Sequence, residues 1–311
     1  MTAAPASKSR PEIVIPPEIF EAVAESMGSF FEPISRIDRK TSSHDFLDLA
    51  KSFKRAEILR RYTSLESRKV LEVGSGFGTN LAVWLRHFDM DAYGVEPGGE
   101  GFNQGYLASR TLLAANGMNP DRVRNAPGES LPFPDESFDI VYSANVLEHT
   151  ANPEQVLRES FRVLRTGGLL HMEMPNYLSY FEGHYMVVQP PIFCKPMLGW
   201  WVRFVFRRDP AFARTLQTGI NPIWCRRVLA NLGRTYPLKL ISLGDDIFLE
   251  RLSQPFVFET GVVAGRLQGL IGALRKINRG NWVGRLIVAL QGHYPIYLTV
   301  RKGTATPAAS A

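Results

Sequence analysis

Val70-Leu71-Glu72-Val73-Gly74-Ser75-Gly76-Phe77-Gly78-Thr79-Asn80 decides the fold class of this 311-residue chain. The apolar run 70–73 reads as a buried strand. Glycines at three alternate positions then make a turn nearly free of side chains. Leu81, Trp84, Leu85 and Phe88 follow at the i, i+3, i+4, i+7 spacing of one helix face. Strand, glycine turn and helix together present backbone N–H groups at a helix N-terminus, where a ligand can lie against them. A Cβ in that turn would hold the ligand off and resist positive φ. The motif alone is weak, because many such turns only pack a helix closely onto a sheet.

The segments downstream strengthen it. Asp91 to Glu96 reads as a second strand ending in Val95-Glu96-Pro97, which places a carboxylate beside the turn, where ribose hydroxyls can donate to it. The alternative is a surface glutamate before a turn. Residues 102–116 are expected to be helical. A short third strand precedes a loop with Glu129, a proline-framed turn and a fourth strand, Phe138 to Ser143. Asn152, Pro153 and Gln155 form a helix start with Asn152 as N-cap. Leu157, Phe161 and Leu164 face inward, and Gly167-Gly168 leads into a fifth strand, Leu169 to Met174. Alternating strands and helices mean parallel βαβ units, which bind ligands at the carboxyl ends of their strands.

In Val70–Gly78, Gly94–Pro97, Gly128–His149 and Val163–Asn176 the chain resembles the class I S-adenosylmethionine-dependent methyltransferases, in particular their small-molecule branch, quinone- or glycan-type. The matching segments cover about a third of the chain, in the family's order. The resemblance implies an α/β fold: a Rossmann-like seven-stranded sheet with helices on both faces, its last strand antiparallel. Pro237 to Leu243 and Pro295 to Arg301 are the candidates for strands six and seven. It also implies S-adenosyl-L-methionine as cofactor. Glu72 would shape the turn and help orient the methionine amino group, and Gly74 and Gly76 would admit the cofactor. Glu96 would hold the ribose. Glu129 and Ser130 would lie near the adenine, and Asn145 near the methionyl part. A nicotinamide enzyme fits poorly, because the spacing is GxGxG rather than GxGxxG.

The sulfonium methyl of that cofactor is already activated, so the protein's task is chiefly alignment. His149 follows strand four at the cofactor end and is the candidate catalytic base. Its other reading is a residue that holds the loop by hydrogen bonding. Tyr177, Glu182, His184 and Tyr185 follow strand five at the expected substrate rim. The Asn/Asp-Pro-Pro-aromatic motif of base-amino methylation is missing after strand four, and no Pro-Cys nucleophile is present, so nucleic acid is not expected as substrate. Two distant cysteines, Cys194 and Cys225, and six scattered histidines without an HExxH pair lead to no expected metal site or disulfide.

The domain expectation is an N-terminal arm at 1–42, partly disordered, and a cofactor core at 43–175. An insertion or lid at 176–235 forms the substrate side. The end of the sheet with basic amphipathic helices spans 236–303, and a disordered tail 304–311. Within the core, Ser43 is expected to cap a helix with Phe46, Leu49, Ala50 and Phe53 inward and Lys51, Lys54, Arg55, Arg60 and Arg61 in solvent. The insertion holds Gln189-Pro190-Pro191-Ile192-Phe193 and an aromatic run, 198–208, that ends in arginines. A second insertion helix starts at Asn221-Pro222 and ends at Gly233. Beyond Thr260 there is no acid, and Arg266, Arg275, Lys276, Arg279, Arg285, Arg301 and Lys302 are basic, although the net charge is only +6. Val263, Leu267, Leu270, Leu274 and Ile277 make one apolar stripe, and Val283, Leu286, Ile287 and Leu290 another. Such helices either cover the sheet or lie on an anionic membrane surface. With 45% hydrophobic residues, no signal peptide and no run of about 20 apolar residues, a cytoplasmic protein, peripheral at most, is expected.

The expected function is methyl transfer to a small or lipid-linked acceptor, at oxygen. The alternatives are carbon methylation of a quinone-like ring and a non-catalytic SAM- or nucleotide-binding scaffold at a membrane.

Overall fold

The computed structural model describes residues 12–99, 103–192, 194–253, 276 and 281–303. The stripe from Val263 to Ile277, the basic residues Arg266, Arg275 and Arg279, Phe193 and the two terminal segments 1–11 and 304–311 lie outside the described residues.

Four helices precede the sheet: α1 (Pro17–Val23), α2 (Ser29–Ser35), α3 (Arg39–Phe46) and α4 (Leu49–Arg60). The expected helix start at Ser43 is corrected here. Two aspartates divide the segment, Asp38 accepting the Thr41 amide and Asp48 the Ala50 amide, each at 2.9 Å. Aspartate caps about as well as serine, and in addition it carries charge toward the positive end of the helix dipole. Ser43 sits inside α3 and donates to the Arg39 carbonyl at 2.8 Å.

The sheet contains β1 (Lys69–Val73), β2 (Asp91–Val95), β3 (Val123–Arg124), β4 (Phe138–Ala144), β5 (Leu164–Met174), β8 (Leu238–Ser242) and β9 (Ile296–Lys302). A separate two-stranded pair is made by β6 (Phe181–Glu182) and β7 (Val187–Val188). The seven strands lie in the order β3-β2-β1-β4-β5-β9-β8. The pairs among β1 to β5 are parallel, and β9 runs against both of its neighbours. The strand order turns at β1, and in open α/β sheets ligands bind at the carboxyl ends of the strands at such a point.

Around the sheet lie α5 (Thr79–His87), α6 (Asn103–Ala115), α7 (Pro153–Val163), α8 (Lys195–Phe204), α9 (Pro222–Leu232), α10 (Asp245–Ser253) and α11 (Trp282–Ala289). Strand alternation divides the core between the two faces. Val70, Ile140 and Tyr142 pack with Ile19, Val23, Leu81 and Trp84. Leu71, Val73, Val141 and Leu170 pack with Phe161 and with Leu198, Val202, Cys225 and Val228 of the insertion. Helices α1 and α4 therefore cover one face with α5, and the insertion covers the other together with Ile34 of α2.

The caps expected at Asn152 and Asn221 are present, Asn152 accepting from the Gln155 amide and Asn221 from the amides of Ile223 and Trp224. The fifth strand starts earlier than expected, directly after α7, through an irregular register between Phe138 and Ile140. Lys302 closes that junction from β9, its ammonium donating to the carbonyls of Phe161 (2.9 Å) and Leu164 (2.7 Å). No helix among the described residues is long and apolar enough to cross a membrane.

Candidate active site

The turn after β1 has positive φ at all three glycines: +74° at Gly74, +52° at Gly76 and +80° at Gly78. They differ in what a side chain would meet. A Cβ at Gly74 would lie 2.3 Å from Val146 Cγ2, whereas nothing lies within 4 Å of one at Gly76. Gly74 thus lets the segment after β4 close on the turn, and Gly76 leaves space open. The Gly74 and Ser75 amides donate to the Val95 carbonyl at 2.9 and 3.0 Å, which ties the turn to the end of β2.

Glu96 stands at that end and accepts the Gly76 amide at 2.8 Å. Burial pushes its carboxyl up to about 7, and the Gly76 bond opposes the shift. Glu72 is fully buried on β1. One carboxylate oxygen accepts from Asn80 at 2.5 Å, and the other has no hydrogen-bond partner. Burial pushes Glu72 up to about 8, with Asn80 and Arg55 pulling the other way. Arg55 corrects the expectation of a solvated face on α4. It turns inward, reaching Asn80 Oδ1 at 3.5 Å and Glu173 Oε2 at 3.7 Å.

The other cofactor candidates lie in two loops. Gly128 packs on the end of β1, where a Cβ would stand 2.9 Å from Val73 Cγ1. Glu129 beside it accepts the Asn152 amide at 3.2 Å, and the Ser130 amide is used within its own turn, on the Pro127 carbonyl. Asn145 follows β4 with φ +55°, a left-handed position that asparagine tolerates, and its amide donates to the Glu173 carbonyl at 2.9 Å. The open Gly76, the half-buried carboxylate at Glu96 and the unpartnered oxygens of Glu72 and Ser75 fit a ligand carrying ribose hydroxyls and an ammonium group.

Beyond Val146 the chain brings His149 and His184 together, although 35 residues separate them. Their Nε2 atoms are 3.2 Å apart. His184 Nδ1 contacts Glu182 Oε1 at 2.7 Å, and the other oxygen of Glu182 accepts the Tyr185 amide at 2.6 Å. Buried Glu148 lies 3.9 Å from both Nε2 atoms. Desolvation, then His184, push the His149 ring down to about 3, so it is not an isolated base of ordinary strength. For His184 desolvation also pulls down, but Glu182 and Glu148 outweigh it and the net direction is up. Phe212 stacks on His149 at 5.9 Å, and Phe31 on His184 at 6.3 Å. Phe31, Phe46 and Phe77 then form a run of ring contacts at 5.6 and 6.2 Å back to the glycine turn.

The structure does not bring Tyr177 and Tyr185 to an open rim. Both are fully buried, and the Tyr185 hydroxyl bridges the Asp209 carbonyl and the Ala213 amide. Glu148, Arg55, Phe31 and Phe212 were missed by sequence reasoning. Only Glu148 had a local signal, its place beside His149.

Residues 71–172 match the family model described as the methyltransferase domain. The chain carries a class I methyltransferase domain. S-adenosylmethionine is the cofactor of that class. A methyltransferase of Mycobacterium sp. strain JLS, itself uncharacterized, is 38% identical over 124 residues, which are 40% of this chain and 45% of the relative. Another from Mycobacterium marinum is 35% identical over 129 residues, covering 42% and 48%. The matches thus span less than half the length of these relatives. Phosphoethanolamine N-methyltransferase 2 of Haemonchus contortus, solved with S-adenosyl-L-methionine, shares the fold of the methyltransferase domain. Its TM-score is 0.51 at 14% identity, over 90% of this chain and 60% of that one.

Proposed function

We propose that this chain transfers the methyl group of S-adenosylmethionine to oxygen of a small or lipid-linked acceptor. One observation carries the reading. The open glycine turn with Glu96 at its amide adjoins, through Val146, a cluster in which Phe31, Phe46 and Phe212 pack around His149 and His184. Glu96 would take the ribose hydroxyls, and the free oxygen of Glu72 the methionine ammonium. The loop at Glu129 and Ser130 would border the adenine, and Asn145 the methionyl chain. The cofactor supplies an electrophilic methyl. The protein's part is to hold the acceptor oxygen in line and receive its proton, and the nearest nitrogen bases are those of His149 and His184. Ring nitrogens there favour a hydroxyl acceptor over a carbon that must first be acidified.

A lipid-linked acceptor is supported by the surface of α11. Val283 is buried, but Trp282 (57% exposed), Leu286 (49%) and Leu290 (69%) follow at fourfold spacing beside exposed Arg285. Such a face can rest on an anionic membrane surface.

The test is calorimetric binding of S-adenosylmethionine and S-adenosylhomocysteine, with NAD as control, with and without anionic vesicles. Micromolar binding of the first two but not NAD is expected. An acceptor screen with labelled methyl donor would follow, beginning with lipid-linked hydroxyl compounds if vesicles alter binding. Absence of binding under both conditions would overturn the reading.

A further inference from the structure

Glu148, His149 and His184 are joined in space by the fold, and their donor atoms converge. The two Nε2 atoms are 3.2 Å apart and each is 3.9 Å from Glu148 Oε1. A triangle of those sides has its centre about 2.1 Å from every corner, which is the length of a bond from a first-row metal to imidazole nitrogen or carboxylate oxygen, about 2.0–2.2 Å. We propose that these three residues bind one divalent transition-metal cation, on the acceptor side of the methyl-transfer site. The use of the cation in transfer rests on the function proposed above; its binding does not.

Glu148 supplies an independent observation. Its side chain is wholly buried, and neither carboxylate oxygen has a hydrogen-bond partner. A carboxylate left unpaired out of water is unfavourable, and a dication at the centre of the triangle would supply the missing partner. The surroundings are those of a ligand set held in place. His184 Nδ1 is engaged by buried Glu182, which turns Nε2 toward the centre; a carboxylate behind a histidine is a usual outer partner of a metal ligand. The backbone is pinned too, with the Gln217 amide on the Glu148 carbonyl and the His149 amide on the Val146 carbonyl, both at 2.9 Å.

Two imidazoles and one carboxylate favour zinc, iron, manganese or cobalt over magnesium and calcium, which prefer oxygen. Three protein ligands leave a position open, as in catalytic and not structural sites. The triangle is least covered at His149, whose side chain is 28% exposed against 11% at His184 and none at Glu148. An acceptor oxygen entering there would coordinate through a lone pair. Its O–H would become more acidic, and the proton would leave to solvent; with the cation bound, the two histidines serve as ligands in place of receiving that proton.

The experiment uses the full chain stripped with chelator and then titrated by calorimetry with zinc, manganese and magnesium, with metal content measured after dialysis. One equivalent of zinc or manganese is expected at micromolar affinity or tighter, with magnesium at least tenfold weaker. Glu148→Gln and His184→Gln should each weaken binding about a hundredfold. Glu182→Gln should weaken it roughly 10–100-fold. Circular dichroism and S-adenosylhomocysteine affinity serve as fold controls, and Glu148→Gln, which removes a buried charge, is the variant most certain to fold. Substoichiometric binding, or equal binding by wild type, Glu148→Gln and His184→Gln, overturns the site. Failure of the cofactor to bind would sink the functional reading and leave the metal titration standing.

Discussion

Glu96 accepts the amide hydrogen of Gly76 at 2.8 Å, so the acid that ends β2 and the turn that follows β1 act as one unit. The bond points the carboxylate into the space that Gly76 leaves open. Replacing Glu96 by Ala should lower S-adenosylmethionine affinity by roughly 10–150-fold, the range of about 1.5–3 kcal/mol for a hydrogen bond to a charged group. Glu96→Gln should fall between that variant and wild type. Calorimetry measures both, and an unchanged Glu96→Ala would remove Glu96 from the ribose site.

The two turn glycines should separate stability from binding. Gly74→Ala places a methyl onto Val146 and should destabilise the fold by more than the roughly 1–2 kcal/mol of left-handed backbone strain alone. Gly76→Ala carries only that strain, because its Cβ meets no protein atom, yet the methyl enters the proposed cofactor space. It should remain folded in urea titration and lose most cofactor binding. Equal behaviour of the two variants in both measurements would contradict this division.

A pH dependence follows from Glu96. Burial raises its carboxyl from 4.5 to about 7. Between those values the folded protein holds a proton that the unfolded chain has released. Stability from this group is therefore present at low pH and lost as pH rises toward 7. Other groups run the opposite way. Burial lowers His171 to about 3, and its contribution grows with pH up to its ordinary value near 6.5. The difference between wild type and Glu96→Gln isolates the glutamate. In denaturant titrations of cofactor-free protein, wild type should lose stability relative to the variant from pH 5 to pH 7 and run parallel to it above about pH 8. A flat difference would place Glu96 in a more watery setting.

Phe31 tests whether the N-terminal helices take part in the site. Its ring stacks on His184 and meets Phe212 at 6.2 Å. Phe31→Leu keeps most of the apolar volume and removes the ring. Cofactor affinity should stay within about twofold, while acceptor KM rises and the fold loses roughly 1 kcal/mol. A change in cofactor affinity with acceptor KM intact would reverse the assignment.

The sheet was legible because its signals are local. The runs 69–73, 91–96 and 138–143 were bounded by turn residues, and the observed strands agree to within a residue. Asn152 and Asn221 announced their helices by cap chemistry. Ser43 misled because serine, too, is a good cap; of the two acids that cap instead, Asp38 precedes the apolar spacing, and Asp48 falls within it, where an acid reads as one more polar helix position and not as a break. Arg55 misled because a helical wheel records charge but not the carboxylates at the ends of neighbouring strands. A guanidinium is drawn inward when Glu72 and Glu173 lie at the carboxyl ends of β1 and β5.

By itself the order of residues determined the α/β class, the glycine turn and the carboxylate beside it. All three depend on periodicity, turn chemistry and positions fixed by neighbours in the chain. Only the tertiary structure decided that Glu148 and His149 meet His184, that Phe31 and Phe212 close on them, and that Arg55 faces inward. Those contacts join segments far apart in sequence, and they exist because α2 packs with the insertion on one face of the sheet while α1, α4 and α5 cover the other. No spacing rule carries that information; the burial of two separate apolar faces does.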